Sequence, residues 1–182
     1  MAVFTDILNG ILPDLLACPE LCVALRQRAK FEGWLKIELA AALLSKGLTV
    51  RLEREYPGEG TDRYRADLSV KLEDTDNEIL VMLKTVNTNF RFPYVDCLTR
   101  PITKNIKGLI DDVRKLELAP RDTVRYIVFT VFPLSCVESK RNEQFCDHIA
   151  KLQCLNLDFT AMEFIPRTEH WGVGWYAARL SE

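Results

Sequence analysis

Apolar positions recur every three or four residues at the start of the chain. Val3, Phe4, Ile7, Leu8, Ile11 and Leu12 fall on one side of a helix over residues 4–12, which Pro13 is expected to disturb. Pro19-Glu20 reads as the first turn of a second helix. From there to Lys46 the chain is rich in Leu, Ala, Lys, Arg and Glu, all good helix formers. Gly33 is expected to bend or split this helix, and Gly47 to end it. The period then changes to two. Leu48–Arg54 and Tyr64–Leu72 alternate as half-buried strands, and Glu78–Thr85 has a continuously apolar centre, as in a strand covered on both faces. Glu73-Asp74-Thr75-Asp76-Asn77 supplies a turn, so these three strands are read as an antiparallel meander.

After a loop over residues 86–101, Thr103–Leu118 places Ile106, Leu109, Ile110, Val113 and Leu116 on one helical face. Val124–Phe132 is the strongest buried-strand candidate, Glu138–Leu155 another helix, and Phe159–Ile165 and Val173–Leu180 closing strands. Interleaved helices and strands predict an α/β fold, one mixed sheet with helices packed on it. At 182 residues without a linker or repeat, the chain is expected to form a single domain.

Composition narrows the picture. The net charge is −2 and the pI about 5.8, so any grip on nucleic acid must come from a local patch. The apolar N-terminus carries Asp6 and Asp14 and has no basic residue before its hydrophobic stretch, unlike a secretory signal. No apolar run approaches the roughly 20 residues of a membrane span. A soluble, cytoplasmic protein that does not engage a membrane is expected. Cys18, Cys22, Cys97, Cys136, Cys146 and Cys154 form no Cys-x-x-Cys pair and read as reduced, buried thiols. Cys146, His148 and Cys154 come nearest to a metal cluster, at a spacing that suits no common zinc site.

Three charges sit awkwardly in apolar surroundings: Glu38 within Trp34–Leu44, Asp67 in Ala66-Asp67-Leu68, and Lys84 at the end of Ile79–Leu83. Each alone reads as a surface charge or a structural ion pair. Together, Asp67 and Lys84 fall on successive strands of one hairpin, and Met82 shares a strand face with Lys84. Arg65-Ala66-Asp67-Leu68 followed by Ile79-Leu80-Val81-Met82-Leu83-Lys84-Thr85 resembles the PD-(D/E)xK motif of the restriction-endonuclease-like nucleases. The resemblance spans roughly residues 30–132, with the C-terminal helix and two strands appended to that core. It implies a three-layer α/β/α arrangement around a central mixed sheet whose meander occupies about residues 48–85. It also implies a metal-dependent nuclease acting on DNA or RNA. Asp67, Glu38 and the backbone carbonyl of Leu83 would hold Mg²⁺ or Mn²⁺, with Lys84 orienting water or neutralising a phosphate.

Met82 departs from that pattern, which has Asp or Glu two residues before the lysine. A thioether is a poor ligand for a hard cation. Opposite charges about 4 Å apart at an effective dielectric of about 20 attract by roughly 4 kcal/mol before desolvation. The missing acid is either replaced by Glu53 or Glu55 from the neighbouring strand, or its place is taken by extra waters. Alternatively, the domain is a catalytically inactive nuclease-fold module that binds nucleic acid or a protein partner.

Between residues 85 and 107, Arg91, Arg100, Lys104 and Lys107 face a single acid, Asp96. With Asn87 and Asn89 and the aromatics Phe90, Phe92 and Tyr94, they form a candidate nucleic-acid face, DNA being favoured over RNA. The alternative is an ordered loop with its aromatics packed inward. A homodimer is compatible with the sequence. Trp171-Gly172-Val173-Gly174-Trp175-Tyr176 reads as a closing strand with glycine for close packing, and His148 and His170 have no nucleophile pattern beside them.

Overall fold

The computed structural model describes residues 2–72, 77–88, 90–95, 102–153 and 155–181. The side chains of residues 2, 3, 142, 144–149 and 153 are outside that description. Cys97, Cys154 and the side chains of Cys146 and His148 therefore lie outside it, as does most of the turn after residue 72.

The N-terminal third is four helices, α1 (Ala2–Asn9), α2 (Leu12–Ala17), α3 (Leu21–Arg26) and α4 (Glu32–Ser45). Pro13 does not disturb a helix but lies in the first turn of α2, where its missing N–H is not needed. The long second helix expected over residues 19–46 is two. The break falls at residues 27–31, where Arg28 takes φ +50, and Gly33 lies inside the first turn of α4. Arg28 is buried, and its guanidinium donates to the carbonyls of Thr88 and Phe90, so the break is anchored by long-range bonds that no local signal announces. The end of α4 follows expectation. Gly47, at φ +83, donates to Leu44 O at 3.0 Å and Leu48 donates to Leu43 O at 3.3 Å, a Schellman closure that glycine makes cheap.

The sheet has six strands in the order β1-β2-β3-β4-β6-β5. They are β1 (Thr49–Pro57), β2 (Arg63–Lys71), β3 (Glu78–Asn87), β4 (Val124–Ser135), β5 (Leu157–Pro166) and β6 (Trp171–Leu180). The first three strands form the expected antiparallel meander. Helix α5 (Ile102–Glu117) carries the chain over to β4, which pairs parallel with β3. Helix α6 (Glu138–Gln153) leads to the last two strands, and β6 lies between β4 and β5. The result is an α/β fold on a mixed sheet, and the closing strands continue that sheet.

Alternation along β3 divides the core. Ile79, Val81 and Leu83 join a cluster with α1–α4, including Leu8, Leu16, Leu35 and Leu39. Leu80, Met82 and Val86 join a second cluster with Ile106, Leu109 and Val113 of α5 and Leu152 of α6. Strand β2 changes sides part-way along. Leu68 and Val70 belong to the first cluster, but Ala66 belongs to the second. Asp67 is the residue at the crossing. In β6, a Cβ on Gly172 would lie 2.3 Å from the Ile165 carbonyl oxygen, so the glycine is required by the close approach of β5. Among the described residues, no helix is long and apolar enough to cross a membrane.

Candidate active site

Pairing between β2 and β3 runs from Lys71↔Glu78 to Leu68↔Val81 and stops there. Beyond that point carboxylates take the place of backbone acceptors. The N–H of Leu83 donates to Asp67 Oδ2 at 2.8 Å, and the N–H of Thr85 donates to Glu32 Oε2 at 3.1 Å. Within a strand, one residue's N–H and C=O face the same neighbour, so the Leu83 carbonyl opens into this same gap. Lys84 lies between the two capped amides.

The β1 side of the gap is irregular as well. The β1–β2 ladder goes from Leu52↔Leu68 to Arg54↔Ala66, and Glu53, across from Asp67, takes φ +54. Its carboxylate binds Lys36 Nζ of α4, and Arg65 Nη1 approaches its other oxygen at 3.3 Å. Lys36 also reaches Asp67 Oδ1 at 3.4 Å. Because Glu32 and Lys36 are four residues apart on α4, one helical face delivers both an acid and a base.

Lys84 leans toward α5. Its Nζ lies 2.5 Å from Asp112 Oδ2, and Lys115 Nζ is 3.0 Å from the other Asp112 oxygen. Asp112 is buried, and a Cβ on Gly108, one turn earlier, would sit 3.6 Å from Lys84 Cε. The small residue thus lets the lysine chain lie along the helix.

The charge states follow from this packing. Burial pushes both Asp67 and Glu32 above the usual carboxylate range, against the bonds from Leu83 and Lys36 for Asp67 and the charge of Lys84 for Glu32. Each of the two also feels the other or a further acid: Asp67 raises Glu32, and Glu53 raises Asp67. The hydrogen bond from Lys36 holds Glu53 below its ordinary range. Burial pulls Lys84 down, but Asp112, with help from Glu32 and Asp67, more than offsets it. Lys84 is a firmly charged ammonium among three carboxylates.

Of the residues expected from the sequence, Asp67, Leu83 and Lys84 come together and Glu38 does not join them. Glu38 is six residues after Glu32, about 120° away from it round the helix, and among the described residues it forms no hydrogen bond or ion pair with the group. The correction follows from where the helix begins. With α4 starting at Glu32, its first-turn acid and Lys36 face the gap. Glu53 does reach the neighbourhood of Asp67, whereas Glu55 is exposed on β1 with Arg63 and Arg65 at 3.6 and 3.4 Å. Met82 is 6% exposed within the apolar cluster beneath α5. Sequence reading missed Glu32, Lys36 and Asp112. The i, i+4 Glu32–Lys36 pair was the one available signal.

The residues of the expected nucleic-acid face fall in different settings. Asn87 is a correction: fully buried, it donates from Nδ2 to Arg28 O at 3.2 Å, and its own carbonyl accepts from Asn105, so it brackets the core. Phe90 and Phe92 pack partly buried against the two core clusters. Arg91, Lys104 and Lys107 are exposed, while Asn89 and Arg100 lie outside the described residues. The thiols of Cys18, Cys22 and Cys136 are free and half-buried, each with a polar partner, rather than core hydrophobes.

The donor set can be weighed against a hard divalent cation. Two carboxylates, Asp67 and Glu32, and the Leu83 carbonyl are oxygen donors of the type Mg²⁺ takes, and both acids have pKa values raised by burial. The set consists of two acidic side chains and a carbonyl. Among the described residues no three His, Cys, Asp or Glu side chains gather as metal ligands. The Met82 sulfur adds nothing for such an ion. No protein-family model, no curated protein and no solved structure matches this chain.

Proposed function

We propose that the chain is a nuclease-type domain of restriction-endonuclease-like arrangement that hydrolyses phosphodiesters, DNA in preference to RNA, with a divalent cation. The observation that carries this reading is the pair of half-buried carboxylates capping the Leu83 and Thr85 amides on either side of Lys84, where β2 leaves β3. Asp67, Glu32 and the Leu83 carbonyl would hold Mg²⁺ or Mn²⁺. The ion, when bound, supplies Lewis acidity and lowers the pKa of water. Lys84 neutralises charge on the phosphate or orients the attacking water. Asp112 and Lys115 fix where its ammonium rests. Arg91, just past the end of β3, and Lys104 and Lys107, on the first turns of α5, are exposed cations suited to the phosphates of a bound strand. The test is cleavage of single- and double-stranded DNA and RNA in Mg²⁺ or Mn²⁺. Asp67→Asn and Lys84→Met are each expected to lower the rate about 100-fold or more, the scale of losing one preorganised charge-stabilising group. Silence of the wild type on every substrate sinks the reading.

A second reading, a non-catalytic module that binds nucleic acid or protein, is favoured by one feature. The position where the motif has its second acid is occupied by Met82, packed among apolar side chains. Binding measured by fluorescence anisotropy, without cleavage in either metal, would select it.

A further inference from the structure

We infer that Lys36 is a resident counter-cation of the gap, held on Glu53 and competing with a divalent ion for Asp67, and so setting how tightly metal is held. The inference rests on the cation site proposed above and adds the residue that regulates it.

The geometry is specific. Lys36 Nζ binds the Glu53 carboxylate and lies 3.4 Å from Asp67 Oδ1, while Asp67 Oδ2 is committed to the Leu83 amide. The oxygen of Asp67 left over from the backbone is therefore the one Lys36 engages. Two irregularities bring the acids to it. The β1–β2 ladder skips Glu53, whose φ is +54, and β2–β3 pairing ends one residue before Asp67. Both acids are thus released from regular pairing at the level of Lys36, and Glu32 stands one helical turn before it on the same face. A lysine that merely decorated the surface would not be 19% exposed with two carboxylates from different strands on one nitrogen. An ammonium and a divalent ion seek the same oxygens, so occupancy by one raises the energy of the other. Because Lys36 is tethered to α4, it neutralises the gap without any ion and must yield Asp67, remaining on Glu53, before metal engages that oxygen.

The test measures Mn²⁺ binding to the full chain by electron paramagnetic resonance and calorimetry for wild type, Lys36→Met, Lys36→Gln and Lys36→Arg. Circular dichroism checks that each is folded. Removing the charge is expected to tighten Mn²⁺ binding about tenfold or more in both neutral variants. Lys36→Arg, which keeps the charge, should stay near wild type. Equal or weaker binding in folded Lys36→Met and Lys36→Gln overturns the inference, and so does absence of binding in all four proteins. Tighter binding in the neutral variants with no cleavage by any of them upholds the role of Lys36 and overturns the hydrolytic reading instead.

Discussion

Two of the junctions where this sheet breaks regular pairing are filled in opposite ways. Between β4 and β6 the register shifts by one residue, from Val131↔Gly174 to Leu134↔Gly172. The extra residue falls at Phe132-Pro133, and a proline in a central strand is tolerated at such a bulge. The freed carbonyls are met by Thr88, whose N–H donates to Phe132 O at 2.8 Å and whose hydroxyl donates to Pro133 O at 2.6 Å. Around them Phe132, Trp171 and Trp175 are buried to 1% or less. Between β2 and β3 the corresponding space holds Asp67, Glu32, Glu53, Lys36 and Lys84. The first junction is a structural solution, in which apolar contact and neutral bonds leave nothing to titrate. The second retains two carboxyl groups, Asp67 and Glu32, whose pKa values burial raises, a costly arrangement unless it serves binding or chemistry.

The largest expected effect breaks the first junction. Trp175→Ala removes a fully buried indole from β6, together with the bond from its Nε1 to Glu163 Oε2 at 3.0 Å. A loss of about 3–5 kcal/mol is expected, measured by urea unfolding. If the variant remains within about 1 kcal/mol of wild type, β6 is not a closely packed interior strand.

Next in size is Met82→Glu. It introduces a carboxylate at a 6% exposed position among Ile106, Leu109 and Ile127, one pleat from the Lys84–Asp112 pair. Burial of the new charge is expected to cost about 2–3 kcal/mol, read as a lower thermal midpoint. Cleavage should not exceed wild type, because the added acid adjoins Asp112 rather than a vacant oxygen site. A large gain in metal-dependent cleavage would break the comparison by moving the reacting centre to the α5 side of β3.

Asp67→Asn sharpens the contrast through pH. An asparagine keeps an oxygen for the Leu83 amide, so stability near neutrality should change by no more than about 1 kcal/mol. In wild type, the folded pKa of Asp67 lies above its unfolded value, chiefly because of burial. The folded state therefore binds the proton more readily, and this group's contribution to stability rises as pH falls from above the folded value toward the ordinary aspartate range. Glu32 behaves in the same direction, whereas Glu53, held low by Lys36, behaves in the opposite one. The difference in melting midpoint between wild type and Asp67→Asn should thus shift in favour of wild type on acidification. A difference independent of pH would mean that Asp67 is not desolvated by the gap.

The two junctions also differ in how far the sequence disclosed them. Unbroken apolar runs such as Ile79–Leu83 and the glycine punctuation of Trp171–Tyr176 announce buried strands, because burial on both faces leaves a composition that few other structures produce. The meander and the positions of Asp67 and Lys84 were legible for the same reason. Glu32 was not, since its role depends on a helix break at Arg28 that is held by bonds to residues 88 and 90, some 60 positions away. Without that break, Glu38 is the acid best centred in the helix and draws the assignment. Asp112 was equally hidden. Its spacing on α5 looks like one more polar position until Lys84 is placed beside it.

The smallest expected effect tests whether the charged junction has a nucleic-acid surface beside it. Lys104 and Lys107 are exposed on the first turns of α5, just ahead of Gly108, which packs beside Lys84. Neither contributes to the core, so Lys104→Ala with Lys107→Ala should leave stability unchanged within about 0.5 kcal/mol. Removing one lysine that neutralises a phosphate lowers the slope of log K against log salt by about 0.9 on duplex DNA. If both lysines meet phosphates, the double variant's slope is shallower by about 2, with affinity reduced alike on unrelated sequences. Anisotropy titrations on a labelled duplex over a range of salt measure this directly. An unchanged slope would confine any phosphate recognition to the gap itself and to Arg91, and α5 would then serve only to hold Lys84 through Asp112.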